Sequence, residues 1–170
     1  MNNLLKQMIG ASRLNVETYE QVEADPGSTA GAVFVVVVAS IAAAIGAGAR
    51  DVVSLIGATV VLLLTWMVWV TLTYMIGTRL LPEPQTRADI GEVLRTTGFS
   101  AAPGIFRILG FIPVIGLPIV LGITFWMLCT FVVAVRQALD YRGYGRALTV
   151  CILGWLIHGL ILFAFARVAI

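Results

Sequence analysis

Arg107 and His158 are ionisable side chains set inside long apolar stretches, and His158 is the only histidine of the chain. An arginine and an imidazole at one depth in a low-dielectric layer could serve a proton or ion relay, with the hydroxyls of Thr59 and Thr124 as intermediate stations. Arg107 lies about 10 residues beyond Thr97 and His158 about 11 beyond Ala147, so at 1.5 Å per residue similar depths are expected, near or just beyond the middle of that layer. A structural reading competes with this one. Arg107 can snorkel outward to pair with Asp51, and a neutral His158 can hydrogen-bond across helices. No carboxylate falls inside an apolar stretch, which counts against ion-coupled transport.

A second set is basic. Arg79, Arg87, Arg95, Arg136, Arg142 and Arg146, with Asp140, Tyr141 and Tyr144, fall at the ends of apolar stretches and would encircle one mouth of a bundle. Such a ring suits acidic lipid headgroups or a docking partner. A third set is small: Ala39, Ala43 and Ala47 recur every four residues, as do Ser40, Ala44 and Gly48, a spacing that lets helix backbones approach closely in lipid. Catalysis finds little support. Asp25, Glu83, Asp89, Glu92 and Asp140 sit where they would cap helices or pair with arginines. Gly143-Tyr144-Gly145 lacks the Lys-Ser/Thr continuation of a phosphate loop. Cys129 and Cys151 have no metal-ligand spacing and read as free thiols. A non-enzymatic protein without metal or cofactor is expected.

The elements that must position these residues are membrane helices. The 170 residues are 59% hydrophobic and only 12% charged, about half the charge of an ordinary soluble domain. Each crossing needs about 20 helical residues, and five stretches qualify: Ala30–Ala49, Val52–Leu81, Phe99–Gly116 with Pro103 kinking it, Leu117–Leu139 and Ala147–Val168. Continuous apolar runs favour helices over the alternating strands of a barrel. The expected fold is therefore an all-α membrane protein, with one five-helix domain over residues 25–170. Residues 1–24 form a cytoplasmic segment whose Leu4, Met8, Val16, Tyr19 and Val22 recur at helical spacing, with a break and cap at Asn15, as in an interfacial amphipathic helix. Asp25-Pro26 starts the first crossing. A second surface helix is expected over Arg87–Thr97, opened by a capping-box variant in Thr86-Arg87-Ala88-Asp89.

The positive-inside rule orients the bundle. With the N-terminus inside, eight of the 11 Lys and Arg residues face the cytoplasm, and only Arg50, Arg107 and Arg167 face out. The net charge of +2 then reflects membrane anchoring and gives no reason to expect nucleic-acid binding.

The order of residues is also familiar. Ala88–Ser100 is followed by Ala102-Pro103-Gly104, Gly110-Phe111-Ile112-Pro113, Trp126, Val133–Asp140 and Arg146-Ala147-Leu148, with Leu14–Tyr19 and Asp25-Pro26 upstream. From about Leu14 to Trp155 the chain resembles the bacterial members of the Yip1 family of five-span membrane proteins. The resemblance implies a cytoplasmic N-terminus. Eukaryotic members of that family serve vesicle trafficking and contact prenylated small GTPases, but this chain lacks their long N-terminal region and their Asp-Leu-Tyr-Gly-Pro motif. The function expected is a membrane-organising scaffold or accessory subunit that binds lipids, other membrane proteins or copies of itself. A bacterial cytoplasmic (inner) membrane is the expected location. The alternative is a small permease using the Arg107/His158 layer.

Overall fold

The computed structural model describes residues 2–168, with side chains for residues 3–160. Its α-helices in chain order are α1 (Asn2–Ser12), α2 (Val16–Ala24), α3 (Thr29–Gly46), α4 (Val52–Met75), α5 (Ile90–Ser100), α6 (Gly116–Ala138) and α7 (Tyr144–Val168). A 3₁₀ turn, Pro26–Ser28, leads into α3, and a π turn, Ile76–Leu80, extends α4. A ten-residue 3₁₀ helix, Ala102–Phe111, follows α5. Among the described residues three segments are long and apolar enough to cross a membrane: Pro26–Gly46, Val52–Leu80 and Gly116–Ala138.

Local chemistry starts most of these helices. Asn15 caps α2 by accepting the Thr18 N–H at 2.9 Å, after a left-handed turn at Leu14 (φ 58°). The Asp25 carboxylate accepts the Gly27 N–H at 2.9 Å, ahead of Pro26 at the first helical position. At α4, Asp51 accepts the Ser54 N–H at 2.8 Å. The box expected at Thr86–Asp89 forms three residues later: Asp89 is the cap and exchanges 2.8 Å bonds with Glu92, so the helix starts at Ile90 rather than Arg87.

The expected surface helix at Arg87–Thr97 is instead internal. α5 buries Val93 and every residue from Arg95 to Ser100, because it is packed by α1, α2, α3, α4 and α6. The pattern of the first 24 residues also faces protein: Tyr19 and Val22 are fully buried, and Leu4, Met8 and Val16 pack on the same cluster. That cluster holds Ala32, Val35, Phe99, Ala102, Val133 and Ala134 as well. A second cluster joins Val70, Ile76, Val93, Val135, Leu139, Tyr141 and Val150. Both lie toward the end that carries the Pro82–Asp89 and Asp140–Gly143 connections, here called the basic end. The opposite or hairpin end carries the Ala47–Asp51 and Ile112–Ile115 connections.

Along α3, up to the hairpin end, packing depends on backbone approach. Cβ atoms added to Gly98 and Gly104 would lie 2.7 Å and 3.1 Å from the Cβ atoms of Ala32 and Ala39, and one on Gly110 would lie 2.9 Å from the Gly46 carbonyl oxygen. Matching residues rise together, so α3 and the α5–3₁₀ unit run side by side in the same direction. The small residues recur every seven positions on α3 and every six on its partner. An α-helix returns to one face after about 7 residues, whereas a 3₁₀ helix does so after about 6. Of the small-residue stripe, Ala39 and Ala43 are buried in this interface. Ala47 and Gly48 are exposed beyond the helix end, with Gly48 making the turn at φ 98°.

α4 is the most peripheral crossing, with 6% of its apolar window buried against 39% for Pro26–Gly46. Its exposed Val53, Val61 and Leu64 therefore belong in lipid.

Candidate functional site

Helix C-termini leave carbonyls without partners, and in a bilayer each orphan is costly. Here side chains from other elements close them. Tyr19 donates to the Ala11 carbonyl at the end of α1 at 3.1 Å and also to the mid-helix Thr130 carbonyl of α6 at 3.2 Å, and Trp126 donates to Ser12 at 2.7 Å. Thr130 donates to Ser100, where α5 gives way to the 3₁₀ helix, at 2.8 Å. Arg95 is buried, and its guanidinium closes α2 through Val22 O (3.0 Å) and Glu23 O. These closures span up to 114 residues of sequence, so helical periodicity alone gives no signal of them.

The same rule builds the basic end. The π turn displaces the carbonyls at the end of α4, and the Tyr141 hydroxyl shares its proton between Gly77 O (3.1 Å) and Leu81 O (2.8 Å). Burial pushes the Tyr141 phenol up to about 12, so it stays a donor at physiological pH. Thr86 donates to Leu139 O at 2.9 Å, and Gln85 donates to Asp140 O at 3.0 Å. The Asp140 carboxylate accepts the Arg87 N–H (3.3 Å), and Glu83 accepts the Arg142 N–H (3.2 Å). Glu83 also pairs with Arg146 at 3.2 Å. Two connections are thus fastened together, leaving Arg79, Arg87 and Arg142 exposed and Arg146 half-exposed. Arg136 lies over the Tyr144 ring at 4.8 Å, a cation–π contact. Of the six arginines expected around this mouth, Arg95 is withdrawn into the interior.

Beside Arg95 the Glu23 carboxyl is pushed up to about 7, first by burial and then by the carboxylates of Asp140, Glu92 and Glu20, with Arg95 offsetting part. Glu20 accepts a 3.2 Å bond from Gln137.

The structure does not gather the residues of the expected polar layer. Ala102–Phe111 packs on α3 and α6, while α7 packs on α6, α4 and the π turn. Arg107 stands beside Gly46, the last residue of α3, and so at the hairpin end. The 3₁₀ rise of about 2.0 Å per residue carries it farther than an α-helix would. His158 packs on Trp69 with ring centroids 5.8 Å apart, and its Nδ1 has no partner. Trp69 also meets Phe131 edge-on at 5.7 Å. Thr59 and Thr124 donate to Leu55 O and Val120 O of their own helices. Asp51 is occupied by Ser54, whose hydrogen bonds hold its carboxyl below the usual range. Among the described residues the one ion pair is Arg146–Glu83, so Arg107 and Asp51 are not joined. Arg167 lies outside the described side chains.

A family model described as "Yip1 domain" matches residues 14–166, nearly the whole chain. Among curated proteins and solved structures, none matches.

Proposed function

The chain belongs to the Yip1 domain family and is an integral membrane protein, and from that premise we propose a non-enzymatic scaffold or accessory subunit that docks other membrane proteins through its basic end. In this reading the bundle crosses the membrane five times, N-terminus inside and C-terminus outside, in a bacterial cytoplasmic membrane. α5 with the 3₁₀ helix is the third crossing. It runs alongside α3 in the same direction, as two crossings separated by one return must. α7 is the fifth, since its 25 residues reach about 37 Å at 1.5 Å each.

The observation that carries the function is the fastening of Pro82–Asp89 to Asp140–Arg146. Arg79, Arg87 and Arg142 stand on or beside loops already held by side-chain and backbone bonds. Binding there orders little new chain, which favours specific docking over loose anchoring. Lipid headgroups with negative charge suit the same arginines. Gentle extraction from native membranes, followed by identification of co-purifying membrane proteins, tests this. A companion should accompany the wild-type protein and be lost from the triple variant Arg79→Gln, Arg87→Gln, Arg142→Gln. Recovery of both as solitary monomers overturns the proposal. Labelling of single cysteines placed at Gln85 and Arg50 tests the orientation, with only the latter reachable from outside.

A further inference from the structure

At the hairpin end a cavity of about 230 Å³ is lined by Arg107, Ala43, Gly46, Gly110, Gly116 and Val120, with Ala47 and Leu117 at its edge. We infer that it holds the phosphate of a bilayer phospholipid, in the leaflet at that end, with Arg107 as the phosphate-binding residue. This needs only that the protein be integral to the membrane, and it does not depend on the orientation or docking role proposed above.

The arginine is the first reason. A guanidinium carries five N–H donors and keeps its charge. Among the described residues Arg107 has neither a carboxylate partner nor a side-chain hydrogen bond. Asp51, the carboxylate at this end, gives both oxygens to Ser54, at 2.8 and 2.9 Å. Phosphate oxygens match the planar fork of arginine better than any other ligand a bilayer offers.

The walls give the second reason. The first turn of α6 contributes Gly116 and Leu117, and its N-cap, Ile115, supplies no side-chain acceptor. The Gly116 N–H is taken by Ile112 O at 2.9 Å and Pro118 has none, so the Leu117 N–H and the partial positive charge of that helix end add modestly to the pull of Arg107 on an anion. Depth is the third. The cavity lies beside the last turn of α3, where apolar length ends and headgroups begin. Around it Ile115, Leu117 and Leu121 are exposed at 53, 70 and 61%. These are surfaces for acyl chains, so the anion expected is a lipid headgroup in preference to phosphate from solution.

Lipid retention by the full chain in mild detergent, read by native mass spectrometry, tests the inference. The probes are phosphatidylglycerol, diacylglycerol with the same chains, and inorganic phosphate. Wild-type protein should hold one phosphatidylglycerol through delipidation and release diacylglycerol, and millimolar inorganic phosphate should not displace the lipid. Arg107→Gln should weaken that retention about tenfold, and Arg107→Lys should weaken it less. Ala47→Phe, which fills the cavity from an exposed position and keeps the charge, should weaken it as well. Arg79→Gln, at the other end, should leave it unchanged. Equal retention by wild type, Arg107→Gln and Ala47→Phe overturns the inference. So does equal retention of diacylglycerol, which would make the cavity a purely apolar groove. Displacement by inorganic phosphate overturns the lipid assignment in favour of a free-anion site.

Discussion

The two ends of the bundle are held by different physics. Toward the basic end, both buried clusters gather large side chains, and the connections are closed by tyrosine, threonine, glutamine and arginine donating to carbonyls. Toward the hairpin end, α3, the 3₁₀ helix and α6 meet through glycines and alanines, and Arg107 stands without an anion among the described residues. Side-chain hydrogen bonds can be lost one at a time. Backbone approach leaves no slack, because a single methyl group must displace a whole helix.

The contrast predicts a graded series of variants, measured by thermal unfolding in mild detergent. Gly46→Ala should be the most damaging, at about 3 kcal/mol or more, since its Cβ would fall on the Arg107 carbonyl oxygen. Gly122→Ala is the control: it also lies within a crossing, but its Cβ would meet open space, so about 0.5 kcal/mol of stabilisation is expected from the lost chain entropy. Equal effects at the two positions would refute the close-approach account.

Arg95→Gln should cost about 2–3 kcal/mol, because it leaves buried carbonyls of α2 without a donor. It should also expose residues 1–24 to protease. Arg107→Gln should cost less than about 0.5 kcal/mol in lipid-free detergent, since no protein group depends on that guanidinium. Similar losses at the two arginines would erase the distinction between the ends. Tyr141→Phe should cost about 1–2 kcal/mol by stranding the Gly77 and Leu81 carbonyls.

A further effect is one of pH. Glu23 holds its proton in the folded protein up to about 7, while the unfolded chain releases it in the ordinary carboxylate range. Stability therefore falls as pH climbs through that window and levels off above it. Glu23→Gln should remove this decline, gaining about 1 kcal/mol at pH 8 relative to pH 5 once solvent screening of the partly exposed group is discounted. Parallel pH profiles for the two proteins would disprove the assignment.

Legibility followed the range of the interactions. Asn15 and Asp25 cap their helices as their positions suggest, because each bonds to an N–H two or three residues ahead. Leu4, Met8, Tyr19 and Val22 do pack on one cluster, but period alone does not say whether protein or lipid covers them. The α5 region reads as amphipathic for the same reason and is enclosed from Arg95 onward. Arg95 looks like one more surface cation until its acceptors, 72 and 73 residues away, are in place.

Composition and apolar length were enough to commit the chain to a bilayer, since a surface this poor in charge cannot be hydrated. Helix starts were equally local. Tertiary structure alone assigned the ten residues after Ala101 to a 3₁₀ helix, separated Arg107 from His158, and chose the side-chain donors that close α1, α2, α5 and the π turn. Those outcomes depend on which backbone lies within about 3 Å of which side chain, and that distance exists only after the helices have packed.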